Sequence, residues 1–422
     1  MRIGFFTDTY LPDRDGIVYS IESFRKALVS FGHEVFVFAP RPASGLCEDR
    51  PNVVMLPAIR TPFDHRRAGL AFDPVIRRKI SRLDLDLIHV HYLSTVGILG
   101  FQVALTNAVP LVSTWHTDLY SYVEYYPPYL LPYLLALSCL ALVQVPLRLG
   151  RAGAAHSVFR PRSDPRTWSK QIVQTMVTAL HDSCDVVIAP SSKAKEQIIS
   201  WGTVSQVRLL PTGVDPLAAD PEAVDKVRRT YRLQSDYPVV LYVGRLAPEK
   251  NIDLLIKSFG FVLDTYPTAR LILVGDHKLR EHRQLLVEEL RIADRVIYTG
   301  WLDRADLAAI YAVSTLFVFP SMTDTQGIVL QEAALSGLPI VLVDGRLNDI
   351  VKDKVSGLLA ENNPRSLADK ILIAVGNPQA SAQLARTSQE MAKMYLVGHQ
   401  ARLLERLYAQ TLRKAGKGAA MP

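Results

Sequence analysis

The feature that most constrains the fold of this chain is a rhythm of short apolar runs. In the first half the runs are Arg2–Thr7, Glu34–Ala39, Leu85–Val90, Pro110–Trp115 and Asp185–Pro190. In the second half they are Pro238–Gly244, Ala269–Gly275, Arg295–Gly300, Thr315–Pro320 and Pro339–Asp344. Each has strand length and is mostly β-branched or otherwise apolar, and helix-period stretches separate several of them. Ile17, Ile21, Phe24, Leu28 and Phe31 form one such stretch, closed by Gly32. Others lie at Asn251–Leu263, Leu330–Leu335 and His399–Leu412. Strands that are apolar throughout, rather than alternating, are buried on both faces. Alternating strand and helix then predicts parallel sheets covered by helices. Because the pattern restarts, the chain is expected to form two Rossmann-like α/β domains, joined between Pro211 and Tyr237. The tail from Arg413 to Pro422 reads as disordered.

Composition narrows the function. With 49% apolar and 21% charged residues over 422 positions, the chain has ample material for two cores. The net charge of +7 is uneven: residues 1–210 carry 22 Lys and Arg against 17 Asp and Glu. An excess of that size does not make a nucleic-acid binder, but suits an anionic surface or substrate. Three scattered cysteines, Cys47, Cys139 and Cys184, fit neither a disulfide framework nor a zinc site, and predict a reducing compartment. The opening residues do not read as a signal peptide, since Asp8 interrupts a short apolar run.

One segment is ambiguous. Tyr129–Leu147 is 19 residues without a charge, just long enough to span a bilayer. Pro132 and Pro146 near its ends, and Gln144 within it, also allow a buried core helix or an interfacial helix. Arg148, Arg151, Arg160, Arg162, Arg166 and Lys170 follow, with Asp164 opposing them. An apolar stretch beside arginines is the composition of a helix that docks on an anionic membrane.

In open parallel sheets ligands bind beyond the carboxyl ends of the strands. Four loops there carry chemistry. In GRLAPEKN (Gly244–Asn251), Gly244 closes a strand, and Arg245 and Lys250 bring two cations to a helix start. That pattern suits a diphosphate. The bland alternative is two solvated basic residues on an exposed turn, dispensable for folding. In TDTQGIVLQEAALSG (Thr323–Gly337), Asp324 lies in a loop and Glu332 two turns into the following helix. Gly327 lets the backbone of Thr325, Gln326 and Ile328 face a ligand. The loop could bind sugar hydroxyls and Glu332 a ribose diol, or the pair could be an N-cap and an exposed helix carboxylate. In STWHTDLY (Ser113–Tyr120), His116 follows a strand end. Grouping it with His89 and His91 as metal ligands is weak, because no nearby carboxylate completes a site. In DTYLPDRDG (Asp8–Gly16), Gly16 precedes a helix where a second anion could sit. Neither a Walker loop nor a GxGxxG fingerprint occurs.

Taken together and in order, these segments resemble the family-4 retaining glycosyltransferases of the GT-B fold, over nearly the whole chain. STWHTDLYSYVEYY resembles the YHT-type segment of the bacterial diacylglycerol glucosyltransferases. LLPTGVD resembles the interdomain PTGID segment, and GRLAPEKN the family's diphosphate clamp. TDTQGIVLQEAALSGLP resembles the ETQG…E segment of the glycolipid branch, with Asp324 where the E-x7-E pattern has Glu. The carboxylate therefore sits about 1.5 Å, one C–C bond, further back.

The resemblance implies two domains facing across a cleft: 1–214 with a returning C-terminal helix 397–415 on the acceptor side, and 215–396 binding the donor. It implies that Arg245 and Lys250 hold the donor diphosphate, with Thr325, Gln326, Gly327 and Ile328 in the same site. Glu332 would hold the ribose, Asp324 the transferred hexose, and His116 would sit by the reacting sugar. Gly16 would let its loop reach the phosphates. No cofactor and no metal are expected. The implied donor is UDP-glucose first and GDP-mannose second. The implied acceptor is a membrane lipid such as diacylglycerol, reached by a peripheral protein on the cytoplasmic face of the cell membrane. Alternatives are a nucleotide-sugar epimerase or phosphorylase of the same fold, and a membrane-docked binding protein without turnover.

Overall fold

A computed structural model describes residues 1–42, 50–60, 67–69, 73–126, 136, 164–276, 280–347 and 349–416. The chain divides into two compact units, Met1–Gly213 with Val397–Pro422, and Val214–Leu396.

The strands of the first unit are β1 (Arg2–Phe6), β2 (Glu34–Pro40), β3 (Val53–Leu56), β4 (Ala58–Arg60), β5 (Arg67–Gly69), β6 (Leu87–Val90), β7 (Leu111–Thr114), β8 (Val186–Ala189) and β9 (Gln206–Leu209). Seven form a parallel sheet in the order β3-β2-β1-β6-β7-β8-β9, while β4 and β5 pair separately as an antiparallel ribbon. β1 lies between β2 and β6, with Ile3 opposite both Val35 and Leu87. The central strands are buried on both faces, as their mostly apolar sequences lead one to expect. The helix Gly16–Ser30 is capped by Asp15, whose carboxylate accepts from the amides of Ile17 and Val18. The helix Pro165–His181 begins with Asp164 as cap and proline in its first turn.

The last helix, Val397–Lys414, belongs to this first unit. Its apolar face, Ala401, Leu404, Leu407, Tyr408 and Leu412, packs in one buried cluster with Ile3, Phe5, Val35 and Ile21. His33 Nε2 bonds Glu405 Oε1 at 2.8 Å, and Tyr408 Oη lies 2.6 Å from His89 Nδ1.

The second unit holds β10 (Val239–Val243), β11 (Arg270–Val274), β12 (Val296–Gly300), β13 (Leu316–Phe319), β14 (Ile340–Leu342) and β15 (Leu358–Leu359). They form one parallel sheet ordered β12-β11-β10-β13-β14-β15, over a single continuous core. In both units the strand order reverses beside the first strand, between β1 and β6 and between β10 and β13. Loops leaving two adjacent strands in opposite directions open a crevice at such a switch point. In the second unit those loops are 244–251 and 320–327, two segments far apart in sequence.

The ten apolar runs named from sequence are all strands. The edge strands β3, β9 and β15 and the β4–β5 ribbon are additional. Among the described residues no helix is long and apolar enough to cross a membrane. The Tyr129–Leu147 run, apart from Ala136, lies outside the described residues, as do Arg148, Arg151, Arg160 and Arg162.

Candidate functional site

In the second unit the loop after β10 and the loop after β13 are bonded into one structure. Lys250 Nζ lies 2.6 Å from Asp324 Oδ1. The hydroxyls of Thr323 and Ser321 donate to the Glu249 carbonyl at 3.2 and 3.5 Å, and Asn251 Nδ2 donates to the Pro320 carbonyl at 3.2 Å. Arg245 Nη2 pairs with Glu249 Oε1 at 2.5 Å, the Glu249 side chain being fully buried. The loop can bend this tightly because Asn251 adopts a left-handed conformation, φ 58°, before the helix Ile252–Thr265. Gly275, at the end of β11, passes so close that a Cβ there would lie 2.0 Å from the Gly244 carbonyl oxygen.

These contacts correct the reading of Arg245 and Lys250 as solvated residues on an exposed turn. Their side chains are 24% and 14% exposed, and each engages a carboxylate. A further cation was missed from sequence altogether. Arg283, buried on the helix Arg280–Glu289, donates to the carbonyls of Leu246 at 2.5 Å and Ala247 at 3.4 Å, and pairs with Asp253 at 2.9 Å. It pins the backbone of the 244–251 loop from behind. Its acceptors are mostly main-chain atoms, so no side-chain pattern announces it; Glu249, also missed, stands four positions from Arg245, a spacing that could have signalled the pair.

The helix Ile328–Leu335 starts directly after Gly327, which caps it with φ 68° and supplies no side-chain bond. Any other residue would be strained there, since its Cβ would also sit 3.0 and 3.1 Å from Leu330 and Leu347. Asp324 is therefore not the helix cap. Glu332 is not an exposed helix residue either, and lies one turn rather than two inside the helix. It is buried, it accepts from Tyr311 Oη at 3.3 Å, and burial raises its carboxyl to about 7, against the opposing pull of Arg304 and of the Tyr311 bond. Thr325 and Gln326 complete the turn between Asp324 and Gly327.

In the first unit His116 follows β7. Its Nε2 lies 3.2 Å from His91 Nδ1, and the two rings stack at 5.4 Å. Burial lowers the His116 imidazole to about 4, although the Asp15 carboxylate acts to raise it. His89 has other partners: its Nδ1 meets Tyr408 and its Nε2 meets Thr114 Oγ1 at 2.7 Å. Both its nitrogens are thus committed to hydrogen bonds, and no metal-binding group of carboxylate, histidine and cysteine side chains occurs among the described residues. Gly16 is the first residue of its helix rather than the one before it, and the Ile17 and Val18 amides already meet Asp15 Oδ1 at 2.9 Å. Arg166 is exposed and faces Glu124 at 3.6 Å, a carboxylate that also binds Lys170.

Two parallel-sheet units, with cations and carboxylates gathered at a strand-order reversal, define the class: this is the GT-B architecture. The description "Glycosyltransferase Family 4" matches residues 14–216, and "Glycosyl transferases group 1" matches residues 224–391. The chain belongs to these glycosyltransferase families. It is 25% identical to the α-monoglucosyldiacylglycerol synthase of Acholeplasma laidlawii, over 99% of both chains. It is 28% identical to a GDP-mannose-dependent α-mannosyltransferase of Mycolicibacterium smegmatis, over 86% of this chain and 84% of that one. Its fold resembles that of Anabaena HepE, solved in complex with UDP-glucose, with a TM-score of 0.69 at 19% identity over 98% of this chain and all of that one.

Proposed function

We propose that the enzyme moves a hexose from a nucleotide sugar to a membrane lipid, with retention of anomeric configuration. UDP-glucose and a diacylglycerol-type lipid are the first choice, and GDP-mannose is the second donor. The observation that carries this reading is the Lys250–Asp324 pair, which joins the loop suited to a diphosphate to the loop suited to a sugar. The donor and acceptor choice rests on the relatives, one named for a diacylglycerol glycolipid and one for GDP-mannose.

The chemistry follows from where charge develops. As the glycosidic bond breaks, negative charge accumulates on the departing nucleoside diphosphate. Arg245 and Lys250 stabilise it, with main-chain amides from Thr325 to Ile328. Glu332 takes the ribose diol and Asp324 the hexose hydroxyls. His116 stands by the reacting sugar, and the loop ending at Gly16 reaches the phosphates. The acceptor hydroxyl attacks on the face the diphosphate leaves, and the leaving phosphate takes its proton, so no enzyme nucleophile is required. Residues 1–214 with helix 397–415 serve the acceptor, and 215–396 serve the donor. The basic stretch Arg148, Arg151, Arg160, Arg162 and Arg166 holds the protein on the anionic inner face of the cell membrane.

A donor panel of UDP-glucose, UDP-galactose, UDP-N-acetylglucosamine and GDP-mannose, crossed with phosphatidylglycerol vesicles containing diacylglycerol and read by product mass, tests this. A hexosyl-lipid from one donor is the expected result. Conversion of donor without vesicles would indicate an epimerase, and donor binding without consumption a silent binding protein.

A further inference from the structure

Three histidines form a column in the first unit. His89 and His91 rings lie 3.9 Å apart, and His91 stacks on His116. Phe5 packs edge-on against both His89, at 5.5 Å, and His91, at 4.6 Å. The backbone amide of His91 donates to the Phe6 carbonyl at 2.8 Å. His89 is fixed at both nitrogens by Tyr408 and Thr114, so the column rests on a rigid base.

The contact between His91 Nδ1 and His116 Nε2 needs one proton between two nitrogens. Burial lowers both imidazoles, so both rings are neutral near pH 7 and each carries a single N–H. There are two ways to share it. If His116 donates from Nε2, His91 must carry its own proton on its Nε2. That atom is buried and meets no hydrogen-bond partner among the described residues. If His91 donates from Nδ1, its Nε2 holds only a lone pair. A buried N–H without an acceptor is costlier and rarer than an acceptor lone pair without a donor.

We propose that His91 is a positioning residue that donates its Nδ1 proton to His116 Nε2 and thereby fixes His116 as the Nδ1–H form. In that form the second nitrogen of His116 is a hydrogen-bond donor and not an acceptor. It can hold an oxygen of the donor sugar or acceptor, and it cannot take a proton from the acceptor hydroxyl. The leaving diphosphate is then the proton's destination. The second half of this inference rests on the placement of His116 by the reacting sugar; the protonation state does not.

Long-range 1H–15N correlation on the full chain, labelled with ring-15N histidine and assigned with His116→Gln, reads the protonation state directly. A protonated Nδ1 and bare Nε2 on His116 are expected, and protonation of His116 Nε2 would overturn the proposal in a protein with no substitution. His91→Phe keeps the ring volume but has no donor. It should mix the two His116 forms and lower kcat roughly tenfold with little change in donor KM. His91→Asn, whose amide can reach the place of Nδ1, should restore the His116 signature and most of the rate. Equal rates and signatures for the Phe and Asn variants would sink the positioning role. Turnover uses UDP-glucose or GDP-mannose, whichever the donor panel selects. If His116→Ala transfers sugar normally, the placement of His116 fails, while the nitrogen spectra still decide the proton.

Discussion

Lys250 Nζ and Asp324 Oδ1 stand 2.6 Å apart, with side chains 14% and 17% exposed. Seventy-four positions separate them in sequence, and the adjacency of β10 and β13 joins them. Removing either partner strips the other of a compensating charge in a partly dry site.

Lys250→Ala and Arg245→Ala should each weaken donor binding, or the transition state, by about 1.5–3 kcal/mol, the range for a charge-assisted contact. Unlike residues on a solvated turn, they should also lower stability. Arg245→Ala should do so more, because it removes the cation paired with the fully buried Glu249. Donor kinetics and thermal melts on the same preparations check this. Unchanged donor kinetics in both variants would remove them from the diphosphate site.

Asp324→Asn should reduce turnover more than it weakens binding of bare UDP or GDP, since the carboxylate is assigned to the hexose and not to the nucleotide. Asp324→Glu should remain active, with an altered preference across the donor panel. An Asn variant with full turnover would leave Asp324 only its structural pairing with Lys250.

Glu332 titrates near pH 7, because burial outweighs Arg304 and Tyr311. A ribose diol donates to a carboxylate, so nucleotide binding needs the ionised form. Affinity for UDP or GDP should rise with pH, roughly tenfold from pH 6 to pH 8. Calorimetric titration across that range measures it. In Glu332→Gln the affinity should be low and flat; a slope that persists would belong to another group.

His181 is fully buried at the end of the helix Pro165–His181. Neither ring nitrogen has a partner among the described residues, and burial alone pulls it down to about 3. Its native pKa lies below the unfolded value, so the neutral ring stabilises the fold fully above about pH 6.5. That contribution is lost as pH falls toward 3, by up to a few kcal/mol. Its edge contact with Trp115, at 5.7 Å, gives a local reporter. Urea midpoints followed by tryptophan fluorescence should drop between pH 7 and 5, and His181→Leu should lessen that drop, the remainder belonging to the buried His89, His91 and His116. An equal drop in the variant would assign the acid sensitivity elsewhere.

The protein should co-sediment with phosphatidylglycerol vesicles at low salt and release at high salt. Charge reversal of Arg160, Arg162 and Arg166 together should weaken the attachment, by about 1 kcal/mol for each charge near the surface. Arg166 should contribute least, since Glu124 already faces it. Failure to sediment at low salt would refute the docking reading, and resistance to carbonate extraction would indicate a spanning segment instead.

The sequence made the inner strands legible because a strand buried on both faces is mostly apolar along its whole length, as in VVLYV of β10 and LFVF of β13. Edge strands escape that requirement. β9 is QVRL, half polar, and β15 has two residues, so neither carries the signal. The site shows the same division. Local motifs marked each loop separately, but their joining depends on strand order, which no local window contains. Arg283 was hidden because it recognises the carbonyls of Leu246 and Ala247. His91 was visible as a residue, whereas its partner His116 sits on the neighbouring strand's exit.

The seating of Tyr408 and Leu404 among Ile3, Phe5 and Val35 has a consequence for how the molecule is made. One face of β1 is covered by a helix that leaves the ribosome only after the whole of Val214–Leu396. Until then the opening unit exposes an apolar surface, while the whole of Val214–Leu396 is translated, on the order of ten seconds or more at ordinary elongation rates. The second unit, one uninterrupted stretch, is free to fold during that wait. The first unit is therefore completed only after the second has been translated.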